Sequence, residues 1–248
     1  MPPRTRTRPV TPAQSVKLID RQTFITRVWK YRAGEHVSFI GPTGSGKTHL
    51  ALQLLAVSVT EELTGYITVM KARDKTVGDF LRQHEGWKRT LTFPPPPQLP
   101  GKKPLGWVVW PHHTNDPEAD ERRHEALFHD MHRKLYVKGD NIIFDDEVVS
   151  LVREMNMKPD LTRIWTKGRS IGAGLWGATQ RPAMVPLEMY DQAQHLFLAN
   201  IKDKRSQDRF GEIAGVDPDL VVSVVKALPK YHWLYIRQEE GVMCVVGP

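Results

Sequence analysis

Cysteine is nearly missing from this chain: among 248 residues only Cys244 carries a thiol. No disulfide can therefore form within it, and a reducing, cytoplasmic setting is expected. Long apolar runs are absent as well. None approaches the roughly 20 residues that a membrane-spanning helix needs, so no membrane segment is expected. The N-terminal stretch MPPRTRTRPVTP is basic but has no apolar core, which excludes a secretory signal. No internal repeat is present. Acidic residues are the minority charge, 28 against 35 Lys and Arg, for a net charge of +7. That excess favours a polyanionic partner such as nucleic acid but specifies no site. The 40% of hydrophobic residues supports an ordinary core, and the length suits one large α/β domain or two small ones.

The richest stretch is SFIGPTGSGKTHLALQLL, Ser38–Leu55. Within it Gly41, Pro42, Thr43, Gly44, Ser45, Gly46, Lys47 and Thr48 match the phosphate-binding pattern G-x-x-x-x-G-K-[ST] at every position. A strand-like run, residues 36–40, precedes the motif, and an apolar run at helical spacing, residues 49–57, follows it. Glycines let successive backbone N–H groups turn inward around an anion, and the helix N-terminus adds partial positive charge. Lys47 is expected on the β- and γ-phosphates of ATP and Thr48 on Mg²⁺.

The rest of the chain reads as alternating strands and helices. Strands are expected at 65–70, 106–110, 141–144, 174–180 and 193–199, with a terminal hairpin from 233–237 and 242–246. Helices are expected at 76–84, 118–137, 148–155 and 159–169, the second with Leu127, Met131 and Leu135 on one face. This alternation predicts an α/β fold with a mostly parallel sheet covered by helices on both faces. Residues 1–14 read as a flexible basic arm and 15–248 as a single domain, opened by a short helix or strand over 15–32. The proline-rich stretch at about 93–105 reads as a loop inserted in that domain. Gly211–Val216 with Asp217-Pro218 reads as a turn and helix start.

Carboxylates follow the apolar strand Asn141–Phe144. Either Asp146-Glu147 or Asp145-Asp146 can serve as the pair, the first holding Mg²⁺ through water and the second directing water at the γ-phosphate. Arg169 lies ahead of the 174–180 strand, where in a ring it can reach a neighbour's γ-phosphate; Arg163 is the second candidate. Gln180, at the end of that strand, is placed to sense the γ-phosphate through a hydrogen bond. Basic clusters at Lys71, Arg73 and Lys75, at Lys102-Lys103, and at Lys202, Lys204 and Arg205 are candidate contacts to DNA phosphates, sequence-independent and salt-sensitive. His112-His113, His124, His129 and His132 with Glu125 invite a metal reading, but flanking Arg and Lys residues and the lack of thiols favour a solvated helix face. The tryptophans at 107, 110, 165, 176 and 233 read as core.

Four segments together resemble the FtsK–HerA superfamily of ring-forming, DNA-pumping ATPases: GPTGSGKT (41–48), IIFDDEVVSL (142–151), KGRSIGAGLWGATQRP (167–182) and, less sharply, AQHLFLAN (193–200). The T-Q-R-P strand end discriminates most, since P-loops are widely shared. The resemblance covers most of residues 34–237. It implies a RecA-like ASCE P-loop NTPase core with a C-terminal β-hairpin, an active site completed by a neighbouring subunit, and a hexameric or pentameric ring that moves double-stranded DNA at the expense of ATP with Mg²⁺. It also favours Asp146 as the metal-binding carboxylate and Glu147 as the base. The layout lacks the membrane segment of septal translocases and the N-terminal barrel of HerA-type motors. It looks most like the compact viral genome-packaging ATPases, which implies host cytoplasm or virion as location and a portal or capsid vertex protein as partner.

A conjugation or plasmid-transfer motor is the nearest rival. A small-molecule kinase, a GTPase switch and a nucleotide-dependent scaffold are more distant. Asn200-Ile201-Lys202-Asp203 has the letters of a guanine-reading motif in the wrong order, and no arginine-rich lid follows the carboxylates. A scaffold has little use for a water-directing carboxylate.

Overall fold

A strand that is apolar at consecutive positions is stable only with both faces covered, and the central strands of this protein are of that kind. The computed structural model describes residues 16–98, 103–213 and 215–248. In chain order, β1 (Lys17–Asp20) leads into α1 (Arg21–Thr23), which widens into a π turn over Phe24–Val28. Then come β2 (Val37–Ile40), α2 (Lys47–Ser58), β3 (Thr64–Thr68) and α3 (Lys75–Gln83). The middle holds β4 (Trp87–Thr90), β5 (Gly106–Val109), α4 (Pro117–Lys138) and β6 (Asn141–Asp145). There follow α5 (Val148–Arg153), α6 (Lys158–Lys167), β7 (Ala173–Thr179), α7 (Glu188–Asp191) and β8 (His195–Leu198). The last elements are α8 (Lys204–Asp208), α9 (Pro218–Ala227), β9 (Trp233–Arg237) and β10 (Val242–Gly247).

The strands form one sheet in the order β1-β10-β9-β8-β2-β7-β6-β3-β5-β4. Among the described residues β9 alone runs against the others, pairing antiparallel with both β8 and β10. Strand alternation splits the core into two layers. Ile142, Phe144, Trp176, Phe197, Trp233 and Tyr235 face the layer of α2 and α3, while Ile143, Leu175, Leu196, Leu198, Leu234 and Ile236 face that of α4, α5, α6 and α9. The expected tryptophan core holds, with Trp165, Trp176 and Trp233 fully buried. Helix starts follow local chemistry. The Asp116 carboxylate accepts from the Ala119 N–H at 3.0 Å, with Pro117 in the first turn of α4, and Asp74 caps α3 by accepting from the Val77 N–H at 3.0 Å.

One strand goes beyond the sequence expectation. β4 was not foreseen: it is four residues long, and its Lys88 and Arg89 are exposed between buried Trp87 and Thr90 at the sheet edge. Leading residues 17–20 are a strand parallel to β10. The expected helix start at Asp217-Pro218 is the N-terminus of α9, with Asp217 as its cap. The proline-rich stretch joins β4 to β5 without regular structure where described; Lys102 and the arm over 1–14 lie outside the described residues.

The solvated histidine face on α4 is overturned. His124 and His132 are buried, and so are Phe128, Met131 and Leu135. His132 Nδ1 lies 2.8 Å from the Phe128 carbonyl, and Nε2 lies 3.0 Å from Asp145 Oδ2. Both ring nitrogens face acceptors, so the imidazolium form satisfies the site. His129 Nδ1 sits 2.5 Å from Asp160 Oδ2, a carboxylate also bound by Arg133 and Arg163. The carboxylates that face His132 and His129 come from β6 and α6, and His124 faces the His112 carbonyl instead.

Burial pushes the His132 pKa down, and Asp145 beside it more than offsets this, leaving it above the ordinary 6.5. The stabilisation is therefore complete below pH 6.5 and is lost as pH rises through the raised folded value. Replacing His132 by Ala leaves the Asp145 carboxylate buried and uncompensated. The expected loss is about 3–5 kcal/mol in urea unfolding at neutral pH.

Candidate nucleotide-binding site

The glycine-rich loop leaves β2 at the edge where the parallel strands end. Gly41 has no room for a side chain, since a Cβ there would lie 2.7 Å from Ala199 Cβ. Gly46 caps α2 with φ 90°, a left-handed conformation that an L side chain resists, and no side chain occupies the cap. The first N–H groups of α2 thus remain available to an anion. The Ser45 hydroxyl is buried and finds no partner among the described residues, which fits an anion in the loop. The Lys47 ammonium, nearly buried, donates to the Gly41 and Pro42 carbonyls at 2.9 and 3.0 Å. Burial holds its pKa below the usual lysine value, against the opposing pull of Asp146 and Glu147.

The two aspartates at the end of β6 differ in direction. Asp145 ends β6, is fully buried, and accepts from Thr68 Oγ1 at 2.6 Å as well as facing His132. Asp146 turns the other way and accepts from Thr48 Oγ1 at 2.7 Å. Lys71, in the loop after β3, brings its ammonium to 3.9 Å from Asp146 Oδ2. Burial raises the Asp146 pKa, opposed by the Thr48 hydrogen bond. Burial and then the neighbouring Asp146 raise that of Glu147, opposed by Lys47, Lys71 and Arg181. Thr48 and Asp146 present only oxygen donors, the ligand type that Mg²⁺ selects. The residues present therefore fit Mg²⁺ shared with phosphate oxygens and water.

Gln180, just beyond β7, hydrogen-bonds Thr43 in the loop. Arg169 lies at the other end of β7, about 20 Å away along a seven-residue strand. It pairs with Glu239 at 2.5 Å, so it is not part of this cluster within one chain. Arg163 is held by Asp160. Of the basic clusters, Lys71 reaches the site, Lys103 bonds the Glu61 carbonyl, and Lys202 and Arg205 line a groove beside the loop. Sequence reasoning missed the proximity of Lys71 and Arg181 to the carboxylates. Arg181 carried a signal in the T-Q-R-P stretch, but Lys71 carried none.

β7 stands between β2 and β6, so the loop, Gln180 and Asp146-Glu147 come from three adjacent parallel strands. That strand order and loop define an α/β RecA-like P-loop NTPase fold. No protein-family profile and no curated protein matches the sequence. Among solved structures, the chain is similar to the genome packaging NTPase B204 of Sulfolobus turreted icosahedral virus 2 in complex with ATP-gammaS. The TM-score is 0.59 at 16% identity, over 88% of this chain and 99% of that one. It is also similar to B204, the DNA-packaging ATPase from Sulfolobus Turreted Icosahedral Virus, with TM-score 0.57, 16% identity and the same coverage. ATPases 2 and 3 of Thermomonospora curvata EccC match with TM-score 0.53 at 12% identity, over 85% of this chain and 36% of that one. At these identities the likeness is one of fold. No helix among the described residues is long and apolar enough to cross a membrane.

Raised carboxyl pKa values mean that the folded state disfavours both charges in the absence of a cation. This penalty is absent below the unfolded values of 3.8 and 4.5, grows as pH rises from there, and is complete above the raised folded values. Asp146→Asn and Glu147→Gln are each expected to melt no lower than the parent at pH 7 without nucleotide or metal. Differential scanning fluorimetry across pH 5–8 checks this; a lower melting temperature for both contradicts it.

Proposed function

We propose that the chain is an ATPase that drives double-stranded DNA through a ring of its own copies, and that this motor packages a viral genome. The observation that carries the proposal is the convergence of Thr48, Asp146, Glu147 and Gln180 on the mouth of the glycine-rich loop. The loop N–H groups and Lys47 neutralise the phosphates. Thr48 and Asp146 would hold Mg²⁺, which would supply charge neutralisation to the bound triphosphate. Glu147 accepts a proton from water as the water oxygen bonds the γ-phosphorus and the bond to the β–γ bridging oxygen breaks, giving ADP and phosphate. Gln180 is placed to sense the γ-phosphate through a hydrogen bond, and without nucleotide it bonds Thr43 of the loop.

DNA as partner is supported by the net charge of +7 and by Lys71. The Lys71 loop borders the carboxylates, so a phosphate drawn to that lysine changes the field on Asp146. Packaging is favoured over conjugation because the B204 fold matches almost end to end in both chains. ATP turnover is measured with and without long duplex DNA at low and high salt, alongside a native mass. The expected result is a pentamer or hexamer whose turnover rises with DNA in low salt and much less in high salt. A monomer blind to DNA sinks the motor reading and leaves the kinase or scaffold.

A ring would let Arg169, remote from its own loop, serve the neighbour's γ-phosphate. Mixed rings of Arg169→Ala and Lys47→Ala subunits test this. Each variant alone is expected to be inactive, and the mixture to regain a fraction of wild-type turnover at interfaces that combine an intact loop with an intact arginine. An Arg169→Ala protein that hydrolyses ATP normally by itself removes the arginine from the mechanism.

A further inference from the structure

Tyr231 is out of character with its backbone. It is the third residue of the turn Pro229–His232, closed by the His232 N–H donating to the Pro229 carbonyl at 3.2 Å. Its φ is 64°, in the left-handed region that turns of this kind reserve for Gly or Asn. Packing does not explain the choice, because the ring is 46% exposed. Yet the turn is held firmly. Arg21 Nη2 donates to the Tyr231 carbonyl at 3.1 Å, and Asn200 Nδ2 donates to the Leu228 carbonyl at 2.8 Å. An exposed aromatic held in a costly conformation by its surroundings is a pointer to use.

Its position says which use. β9 runs antiparallel to β8, so the turn before Trp233 hangs over the edge where the parallel strands end, beside the glycine-rich loop. A Cβ on Gly46 would lie 3.5 Å from Tyr231 Cδ1. Asp146, Glu147 and Gln180 occupy the β6–β7 side of the loop, where the γ-phosphate belongs. The nucleoside end then leaves towards β8–β9 along a groove of about 1190 Å³ that Gln180 and Arg181 line as well as Thr43, Lys230, Tyr231 and His232. Lys230 lies over the tyrosine ring, its ammonium 4.8 Å from the centroid. A cation–π contact at so exposed a site is weak and yields readily to a base.

We propose that Tyr231 is the platform on which the base of the bound nucleotide stacks; this rests on the reading that the loop holds a nucleoside triphosphate. Stacking uses the π-face, so the site takes adenine and guanine alike and pyrimidines less well.

The test is calorimetric titration of the full chain and its variants with Mg-ATP, Mg-CTP and Mg-tripolyphosphate. Tyr231→Asn keeps a residue that tolerates the left-handed backbone, so its melting temperature is expected to match the parent. Its ATP affinity is expected to fall about tenfold and its preference for ATP over CTP to vanish, while tripolyphosphate binds as before. Tyr231→Phe is expected to restore ATP affinity. Unchanged ATP affinity in Tyr231→Asn overturns the proposal. So does a parallel loss of ATP and tripolyphosphate, which assigns the tyrosine to shaping the loop. Lys47→Ala separates the two levels: if it binds ATP as tightly as the parent, the P-loop reading itself fails and the stacking proposal falls with it.

Discussion

Two carboxylates and one ammonium share a poorly hydrated mouth at the end of a parallel sheet, and the rest of the structure serves to hold them there. Asp146 and Glu147 carry raised pKa values, and Lys47 a lowered one, because burial disfavours charge on each. Such a cluster is under tension by itself. A triphosphate with its metal relieves it, since the phosphates meet the ammonium and the cation meets the carboxylates. The site is thus complementary to what it is proposed to bind, and that complementarity costs the free protein some stability.

The tension can be maintained because the framework beneath it is rigid. β2, β7 and β6 are buried on both faces, and their parallel pairing aligns their ends to the same edge. Directly below Asp146, the next carboxylate is tied off by Thr68 and His132. Adjacent aspartates on one strand end point to opposite sides, so one builds the core and the other faces the nucleotide. The cationic groove and the Lys71 loop extend positive potential outward from the same edge, as a polyanion-handling surface requires.

Contacts from distant elements also give the site its sidedness. Gln180 and Arg181 follow β7, and Lys71 follows β3, so the carboxylate-bearing flank is built from strands on one side of the loop. The other flank is built by β8 and by β9, which alone among the described strands runs backwards and whose preceding turn overhangs Gly46. Arg169 sits at the opposite edge, paired with Glu239. The glycine-rich loop and Arg169 thus lie at opposite ends of β7.

The amino-acid sequence by itself determined the local matters. The loop conformation follows from glycine spacing, the helix starts from Asp and Pro at their caps, and the sheet character from consecutive apolar residues needing cover on both faces. The eight loop residues and the choice of strands at 141–144 and 174–180 were legible for that reason. β4 was not, because four residues with exposed Lys88 and Arg89 at their centre have no periodicity to read. Only the tertiary structure decided the pairings between residues far apart: which aspartate meets Thr48, where the α4 histidines find their carboxylates, what Lys71 approaches and what Tyr231 overhangs. Each depends on strand order, and strand order is set by packing of the whole sheet rather than by any stretch of neighbouring residues.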